Sequence, residues 1–281
     1  MSKTLVTHIN PHLDDIAAIW LYKKIYPEFK DASLEFVSAT NDKLENTEDK
    51  VYVGVGRGEF DEHKGDTEDC ATSLVYKHGI KAAPLVPAVK EAEGKILTPA
   101  DVEGKAVEEL VEWVRQDDLG RLEIRDYPEF SIPAWIRSTD SNIESSKKTV
   151  ELGIEILERI LRVLKRKYLA EKEWEGKVEF ETKFGKSFAI MGKAIDRSFC
   201  RDKGGDLFVM YDPNSKWTQY FTPSFEIDLE PIYNKVKELD PQADWFLHQS
   251  HHMVICGSNS SPESKVTKLS FEELIKAAKE V

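Results

Sequence analysis

The stretch "LVTHINPHLDDIAAIWLYKK" places two imidazoles and two carboxylates within eight residues: His8, His12, Asp14 and Asp15. Imidazole nitrogen and carboxylate oxygen together suit Mn, Fe, Zn or Co ions. His8 closes a predicted strand, Pro11 bends the chain, and His12 and Asp14 fall in the first turn of a predicted amphipathic helix, so these donors can converge on one point. The alternative assigns both carboxylates to the helix N-terminus as cap and dipole residues, which leaves the histidines unexplained.

A second group of candidate ligands follows the predicted buried strand "KVYVGVG". Its glycine-rich loop leads into Asp61, Glu62 and His63 in "FDEHKG". Taken alone, this loop is better explained as an acidic surface segment with a solvated histidine. Beside the first cluster, it becomes a source of further metal ligands.

The elements that would position these residues alternate between strand and helix in the first half of the chain. This order predicts a mainly parallel α/β sheet with flanking helices, in which ligands bind beyond the carboxyl ends of strands. "CATSLVYKHG" is predicted as a helix that Gly79 ends as a C-cap, and "KAVEELVEWVRQDDLG" as a helix that stops near Gly120.

One long helix is predicted over about 149–173, and short strands with two further helices follow it. Ser270 and Glu273 predict a capping box for the last helix. We therefore predict an α/β domain over 1–145, a connecting long helix over 146–175, and a smaller α+β domain over 176–281.

Composition limits the class of partner. The 281 residues include 39 basic and 51 acidic side chains, for a net charge of −12, and no basic face that would grip long duplex DNA is evident. No apolar run approaches the ~20 residues that span a bilayer, so no membrane partner is predicted. Three cysteines without a CxxC pair, and no secretory leader, predict a cytoplasmic protein.

The order "HINPHLDD", "VYVGVG", "FDEHKG" and "CATSLVYKHG" resembles the DHH phosphoesterase superfamily, and within it most closely the melanocyte-proliferating-gene family of DHH-like exonucleases. The opening His-x3-His-x-Asp signature of that family matches His8, His12 and Asp14. Its Asp-His-His motif falls on the residues of the second cluster, Asp61, Glu62 and His63.

Two later motifs of the family also have counterparts. "LVEWVRQDDLG" is similar to its fourth motif and places Asp118 there, with Asp117 beside it and Asp140 as a weaker alternative. "WFLHQSHHMVICGSN" is similar to its C-terminal motif, whose residues match His248, Ser250 and Gly257.

The resemblance implies a DHH-like fold and metal-dependent hydrolysis of phosphodiester or phosphoanhydride bonds, with Mn2+ as the first choice and one or two ions bound. The implied metal ligands are His8, His12, Asp14, Glu62 and Asp118. Asp61 and His63 are assigned catalytic roles, with His63 either facing the phosphate or supporting a ligand.

The substrate implied is a small phosphorylated molecule or a short single-stranded nucleic acid, and a homodimer is left open. The residues assigned to substrate binding are Arg201, His248, Ser250, His252 and Gly257. Adjacent strand residues point to opposite faces, so at most one of His251 and His252 can contact substrate. Arg201, with Lys203 and the glycine pair after it, either binds phosphate or forms a β-turn.

Two positions depart from the family pattern. Gly54 stands where the family has an Asp that bridges two metal ions, and Glu62 replaces the middle histidine. Either Glu59 or Asp61 compensates for Gly54, or the site holds one ion, or catalysis is lost. The alternatives to a phosphoesterase are a DHH-like protein that binds nucleotide or metal without turnover, and an unrelated single-metal hydrolase.

Overall fold

The chain forms two compact units. The computed structural model describes residues 2–65, 68–82, 99–122 and 126–281, and the units are Met1–Lys165 and Arg166–Val281. Within these described ranges, no helix combines the length and the apolar character needed to cross a membrane.

The first unit is an α/β structure around a small parallel sheet. Its strands and helices are β1 (Thr4–His8), α1 (Leu13–Ile25), β2 (Ser33–Val37), β3 (Lys50–Tyr52), α2 (Ala71–Ala82), α3 (Pro99–Asp118), α4 (Ile132–Arg137) and the part of α5 (Ile143–Glu175) up to Lys165; the rest of α5 belongs to the second unit. The sheet order is β2-β1-β3, and both pairings are parallel, with Leu5 opposite Leu34 and Val51. The predicted parallel α/β class is confirmed, and His8 lies at the carboxyl end of the central strand.

Helix α1 is buried around most of its circumference, so the predicted amphipathic pattern is wrong. Eleven of its 13 residues are buried, because α1 packs against α2, α3 and α4. A helix that is apolar on all sides belongs to a core. Asp14 and Asp15 are buried with it, which requires partners for both charges.

Helix α2 continues past Gly79, so the predicted C-cap at that residue is wrong. Gly79 is buried inside the helix, and a Cβ built on it would overlap the Ile25 side chain of α1. The glycine therefore serves close packing between α1 and α2. Helix α3 does stop at the predicted place, and Gly120 follows it with φ +65°.

The second unit contains a mixed six-stranded sheet with helices, as predicted for an α+β structure. Its elements are β4 (Val178–Thr182), β5 (Gly185–Met191), α6 (Arg197–Arg201), β6 (Leu207–Tyr211), β7 (Thr218–Phe221), α7 (Glu230–Leu239), β8 (Trp245–Leu247), β9 (Met253–Cys256) and α8 (Phe271–Lys279). The strand order is β4-β5-β6-β7-β9-β8; β5 and β6 are parallel, and the other pairs are antiparallel.

Strand β6 forms the centre of this unit and is buried along its whole length. Leu207, Val209 and Tyr211 face the core that contains α7 and α8, while Phe208 and Met210 face a second core beside α6. This alternation follows from the two-residue period of a strand.

Several predicted boundaries take their final form from local hydrogen bonds. Helix α5 begins earlier than predicted, because Asn142 Oδ1 accepts the backbone N–H of Ser145 at 2.9 Å. The capping box of Ser270 and Glu273 is confirmed at the start of α8. His251 and His252 lie in the turn between β8 and β9. The prediction that they are adjacent strand residues pointing to opposite faces is therefore wrong.

Candidate functional site

The turn between β1 and α1 brings His8, His12 and Asp15 together. Each offers one ligand atom, and these atoms lie within 4.8 Å of one another. Asn10 fixes the turn, since it takes the left-handed φ of 61° and its N–H donates to Ser146 Oγ at 2.9 Å. The sequence predicts convergence at this turn, but the carboxylate that joins the two histidines is Asp15 rather than Asp14.

Asp15 and His8 form a buried ion pair. Asp15 Oδ2 lies 2.9 Å from His8 Nε2 and accepts the backbone N–H of His12 at 2.7 Å. Burial lowers the pKa of His8, but the hydrogen bond and charge of Asp15, the Ile9 carbonyl and the charge of Asp61 raise it to about 9. A cation bound at Nε2 would therefore displace a proton.

Asp14 faces away from His8 and holds the N-terminus of α2. Its Oδ2 accepts the backbone N–H of Ala71 at 2.8 Å, and its Oδ1 accepts that of Thr72 at 2.8 Å. Burial and the charge of Asp15 raise the pKa of Asp14, against the hydrogen bonds from Cys70 and Thr72. Each oxygen of Asp14 keeps further lone pairs, so these bonds leave it able to act as a ligand.

A second group of potential ligands consists of Asp14, Glu62 and Asp118, whose ligand atoms also lie within 4.8 Å of one another. Burial and the charge of Asp14 raise the pKa of Glu62 to about 8. Burial and the charges of Asp14 and Asp15 raise the pKa of Asp118 to about 6. Three neighbouring carboxylates repel one another, and a bound cation would remove this cost.

Asp61 organises the loop that carries Glu62. Its Oδ2 accepts the N–H of Arg57 at 2.6 Å, and its Oδ1 accepts the N–H of His63 at 3.0 Å and lies 2.8 Å from His63 Nδ1. Burial would raise the pKa of Asp61, but these hydrogen bonds and the charge of His63 hold it below its usual range. Asp61 thus fixes the loop and orients the exposed His63 ring.

The donors of the first unit fit a divalent cation. Two imidazoles and four carboxylates form the two groups, a combination that suits Mn, Fe, Zn or Co. Glu62 Oε2 is buried without a hydrogen-bond partner among the described residues. A buried oxygen of this kind is costly unless something binds it, and a cation supplies that partner.

A pocket in the second unit offers a different chemistry. Its volume is about 240 Å³, and it is lined by Arg197, Arg201, Phe221, Thr222, Pro223, Phe225, His248, Ser250, His252 and Met253. The Arg201 guanidinium lies 5.4 Å from the centre of the Phe221 ring. Phe225 is 84% exposed, and its ring meets that of His252 edge to face at 5.3 Å. Paired guanidinium groups suit a phosphate, and an exposed aromatic face suits a planar base.

Comparisons with known proteins leave the family open. No protein-family model matches the chain, and no curated protein matches it. One solved structure that it resembles is a DHH domain described as a member of the s1p family of ribosomal proteins. That resemblance has a TM-score of 0.30 and 10% sequence identity over 98% of this chain and 85% of the other.

The structure gathers most of the predicted site residues into these places. Every predicted ligand belongs to one of the two donor groups, His8–His12–Asp15 and Asp14–Glu62–Asp118. Arg201, His248, Ser250 and His252 line the pocket of the second unit. Gly257 is not among the residues lining that pocket; it takes φ +79° against the Trp217 ring, which a Cβ would overlap.

Sequence reasoning missed three residues. Asp15 is one of the four donors of the opening stretch and, as the capping alternative predicts, it accepts the His12 N–H at the start of α1, but it is not among the predicted metal ligands. Arg197 lies four residues before Arg201, a spacing that puts both on one face of α6. Phe225 lies two residues after Pro223 in an irregular segment and gave no signal.

Proposed function

We propose that this chain is a divalent-metal-dependent phosphoesterase of the DHH superfamily that acts on short oligonucleotides or small phosphorylated molecules. Phosphodiester or phosphoanhydride bonds are the bonds it hydrolyses, and Mn2+ is the ion expected to support it best. The order of the sequence motifs supports the superfamily. The observation that carries the activity is the pair of donor groups at the carboxyl end of β1, His8–His12–Asp15 and Asp14–Glu62–Asp118.

The residues that would hold cations are those of the two donor groups. The chemistry that such cations supply when bound is activation of water and polarisation of phosphoryl oxygens. Partial desolvation lowers the pKa of His63, but the hydrogen bond to Asp61 and the charges of Glu62, Asp61 and Asp15 raise it above its ordinary value. A protonated His63 offsets the negative charge that develops on a phosphoryl group.

The pocket of the second unit is, taken by itself, a proposed binding place for a phosphate and a nucleobase. Arg197 and Arg201 would bind a phosphate, and Phe225 would stack on a nucleobase. A small pocket agrees with a short substrate, and the net charge of −12 agrees with the absence of long duplex DNA as a partner.

Substitution of His12 by alanine tests this function most cleanly. His12 is exposed and contributes little to the core, so His12→Ala should fold normally while losing one cation ligand. We expect the Mn2+-dependent hydrolysis of bis(p-nitrophenyl) phosphate to fall by about 100-fold or more. Steady-state kinetics in MnCl2, with circular dichroism to verify folding, make the measurement.

A matched control is His251→Ala, which removes an imidazole paired with Asp228 at 2.9 Å in a separate group of potential ligands of the second unit, Asp228, Glu230 and His251. The control should keep the wild-type rate. Equal rates for wild type and His12→Ala would exclude a reaction at this site. Wild-type protein that binds Mn2+ but hydrolyses nothing would support the alternative, binding without turnover, which the sequence alone suggests because it lacks a carboxylate at position 54.

A further inference from the structure

Gly54 provides an empty side-chain position, and the carboxylate of Asp15 fills it. A Cβ built on Gly54 would overlap Asp15 Oδ1, and its next nearest atoms are also those of Asp15. The backbone of Gly54 takes φ +62°, and its N–H donates to the Phe60 carbonyl at 2.8 Å. Asp15 therefore stands where the side chain of residue 54 would begin.

Asp15 is a member of one donor group and lies close to the other. It shares one group with His8 and His12, and its chain neighbour Asp14 belongs to the other. The charge of Asp15 acts on Asp118, a member of the second group. Its Oδ2 contacts His8 Nε2 and accepts the backbone N–H of His12. Its Oδ1 accepts a long hydrogen bond, 3.4 Å, from the Thr7 hydroxyl, and this oxygen therefore has capacity for a second cation.

The two other carboxylates considered for this role, Glu59 and Asp61, do not fill the Gly54 position. Glu59 is exposed and contacts His78 at 3.3 Å and Asn46 at 3.5 Å. Asp61 holds its own loop through the N–H groups of Arg57 and His63, and the three atoms nearest to the Gly54 Cβ position all belong to Asp15. Asp15 is buried, being 4% exposed, and its Oδ1 faces the Gly54 position.

We propose that Asp15 is the carboxylate shared by two cations, one in each donor group. The absence of a side chain at Gly54 leaves the space that the Asp15 carboxylate occupies. Two divalent ions about 3.5–4 Å apart repel each other and require a shared anion. The inference rests on the proposed function, since it assigns a role within the same metal site. It excludes both the one-ion alternative and compensation by Glu59 or Asp61.

Metal stoichiometry and electron paramagnetic resonance test the proposal without reference to activity. Wild-type protein loaded with Mn2+ and desalted should retain two ions per chain and give the broadened spectrum of a coupled pair. Asp15→Asn keeps an acceptor for the His12 N–H but removes the shared charge. It should retain one ion and give the spectrum of isolated Mn2+.

Gly54→Ala provides an independent test that leaves every carboxylate in the chain. Its methyl group should push Asp15 away and also reduce the count from two ions to one. Gly204→Ala is the matched control, because Gly204 has φ +68° and a Cβ there has nothing within 4 Å. Alanine at either position must adopt a left-handed backbone conformation, so both variants have a similar backbone strain. The Gly204→Ala control should nevertheless keep two ions per chain.

A wild-type chain that binds a single Mn2+, or an Asp15→Asn variant that still shows the coupled pair, would overturn the proposal. Hydrolysis by a one-ion wild type would leave the proposed function standing and remove only this inference. A wild-type chain that binds a coupled pair of Mn2+ ions but hydrolyses nothing would support this inference and contradict the proposed function. If Asp15→Asn does not fold, the number of ions bound by Gly54→Ala and by Gly204→Ala tests the proposal instead. Two ions in both variants would contradict it.

Discussion

Asp14 and Asp15 are adjacent in the chain, yet their side chains stabilise different parts of the first unit. Asp14 accepts two backbone N–H groups at the start of α2, and Asp15 pairs with His8. Burying two neighbouring carboxylates is costly unless each is paired or hydrogen-bonded, and here each has its own partners. From sequence alone, both resemble ordinary caps of α1, because the partners of Asp14 lie far away in the chain.

Glu62→Gln should stabilise the metal-free protein and weaken metal binding. The glutamate is repelled by Asp14 and Asp118, and its side chain is 14% exposed, so a neutral amide removes an unfavourable charge. At pH 8.5 in EDTA, the Tm should rise by about 2 °C or more. The increase in Tm that Mn2+ produces should be smaller in Glu62→Gln than in wild type. Differential scanning calorimetry measures both quantities.

Glu59→Gln is the control for this prediction, because Glu59 lies in the same loop but is exposed and outside the donor groups. Neither the metal-free Tm nor the Mn2+ effect should change. A metal-free Glu62→Gln protein that is less stable than wild type would contradict the crowding of charge inferred for this group.

At the scale of elements, sequence patterns predicted what depends on local interactions. The alternation of strands and helices, the end of α3 and the capping box of Ser270 with Glu273 are confirmed, because their causes lie within a few residues. The burial of α1 on most sides and the continuation of α2 past Gly79 were not predictable. Both depend on contacts between helices that are distant in the chain.

The same limit applies to the site. Spacing identified His8 and His12, but the choice of Asp15 over Asp14 depends on which way each side chain leaves the first turn of α1. The role of Gly54 also could not be predicted, since its significance lies in what occupies the space beside it.

Gly79→Ala should destabilise the first unit although alanine is the better helix former. Helix propensity alone would add about 1 kcal/mol, but the new methyl group overlaps Ile25, and overpacking typically costs about 1–3 kcal/mol. We expect the free energy of unfolding to decrease in urea denaturation. Gly176→Ala meets only a backbone oxygen at 3.6 Å and should not destabilise, so equal losses in both variants would point to backbone effects alone.

At the scale of the whole molecule, the candidate metal site gives the metal-free chain an unusual dependence on pH. The pKa values of His8 and Glu62 are raised to about 9 and about 8, from ordinary values of 6.5 and 4.5. Each group is thus protonated in the folded chain over a range of pH where the unfolded chain releases the proton. Raising the pH through this range favours unfolding.

We therefore expect the Tm of the metal-free protein to fall steadily from pH 6 to pH 9. The stabilisation from a raised pKa is complete below the unfolded value and is lost as the pH rises through the folded value. Saturating Mn2+ should reduce the slope, because cation binding replaces the protons. Thermal scans in EDTA and in MnCl2 at each pH give the comparison, and a metal-free Tm that is constant or increases would contradict the assigned shifts.

The hydrogen bonds from Ala71 and Thr72 to Asp14 also have a consequence for the order of folding. The first amides of a helix usually find a cap within their own segment, but here the cap lies 57 positions earlier in the chain. Helix α2 gains this cap only after a loop of that length has closed, which carries an entropic cost. The candidate metal site and the start of α2 should therefore form in the same late, cooperative step.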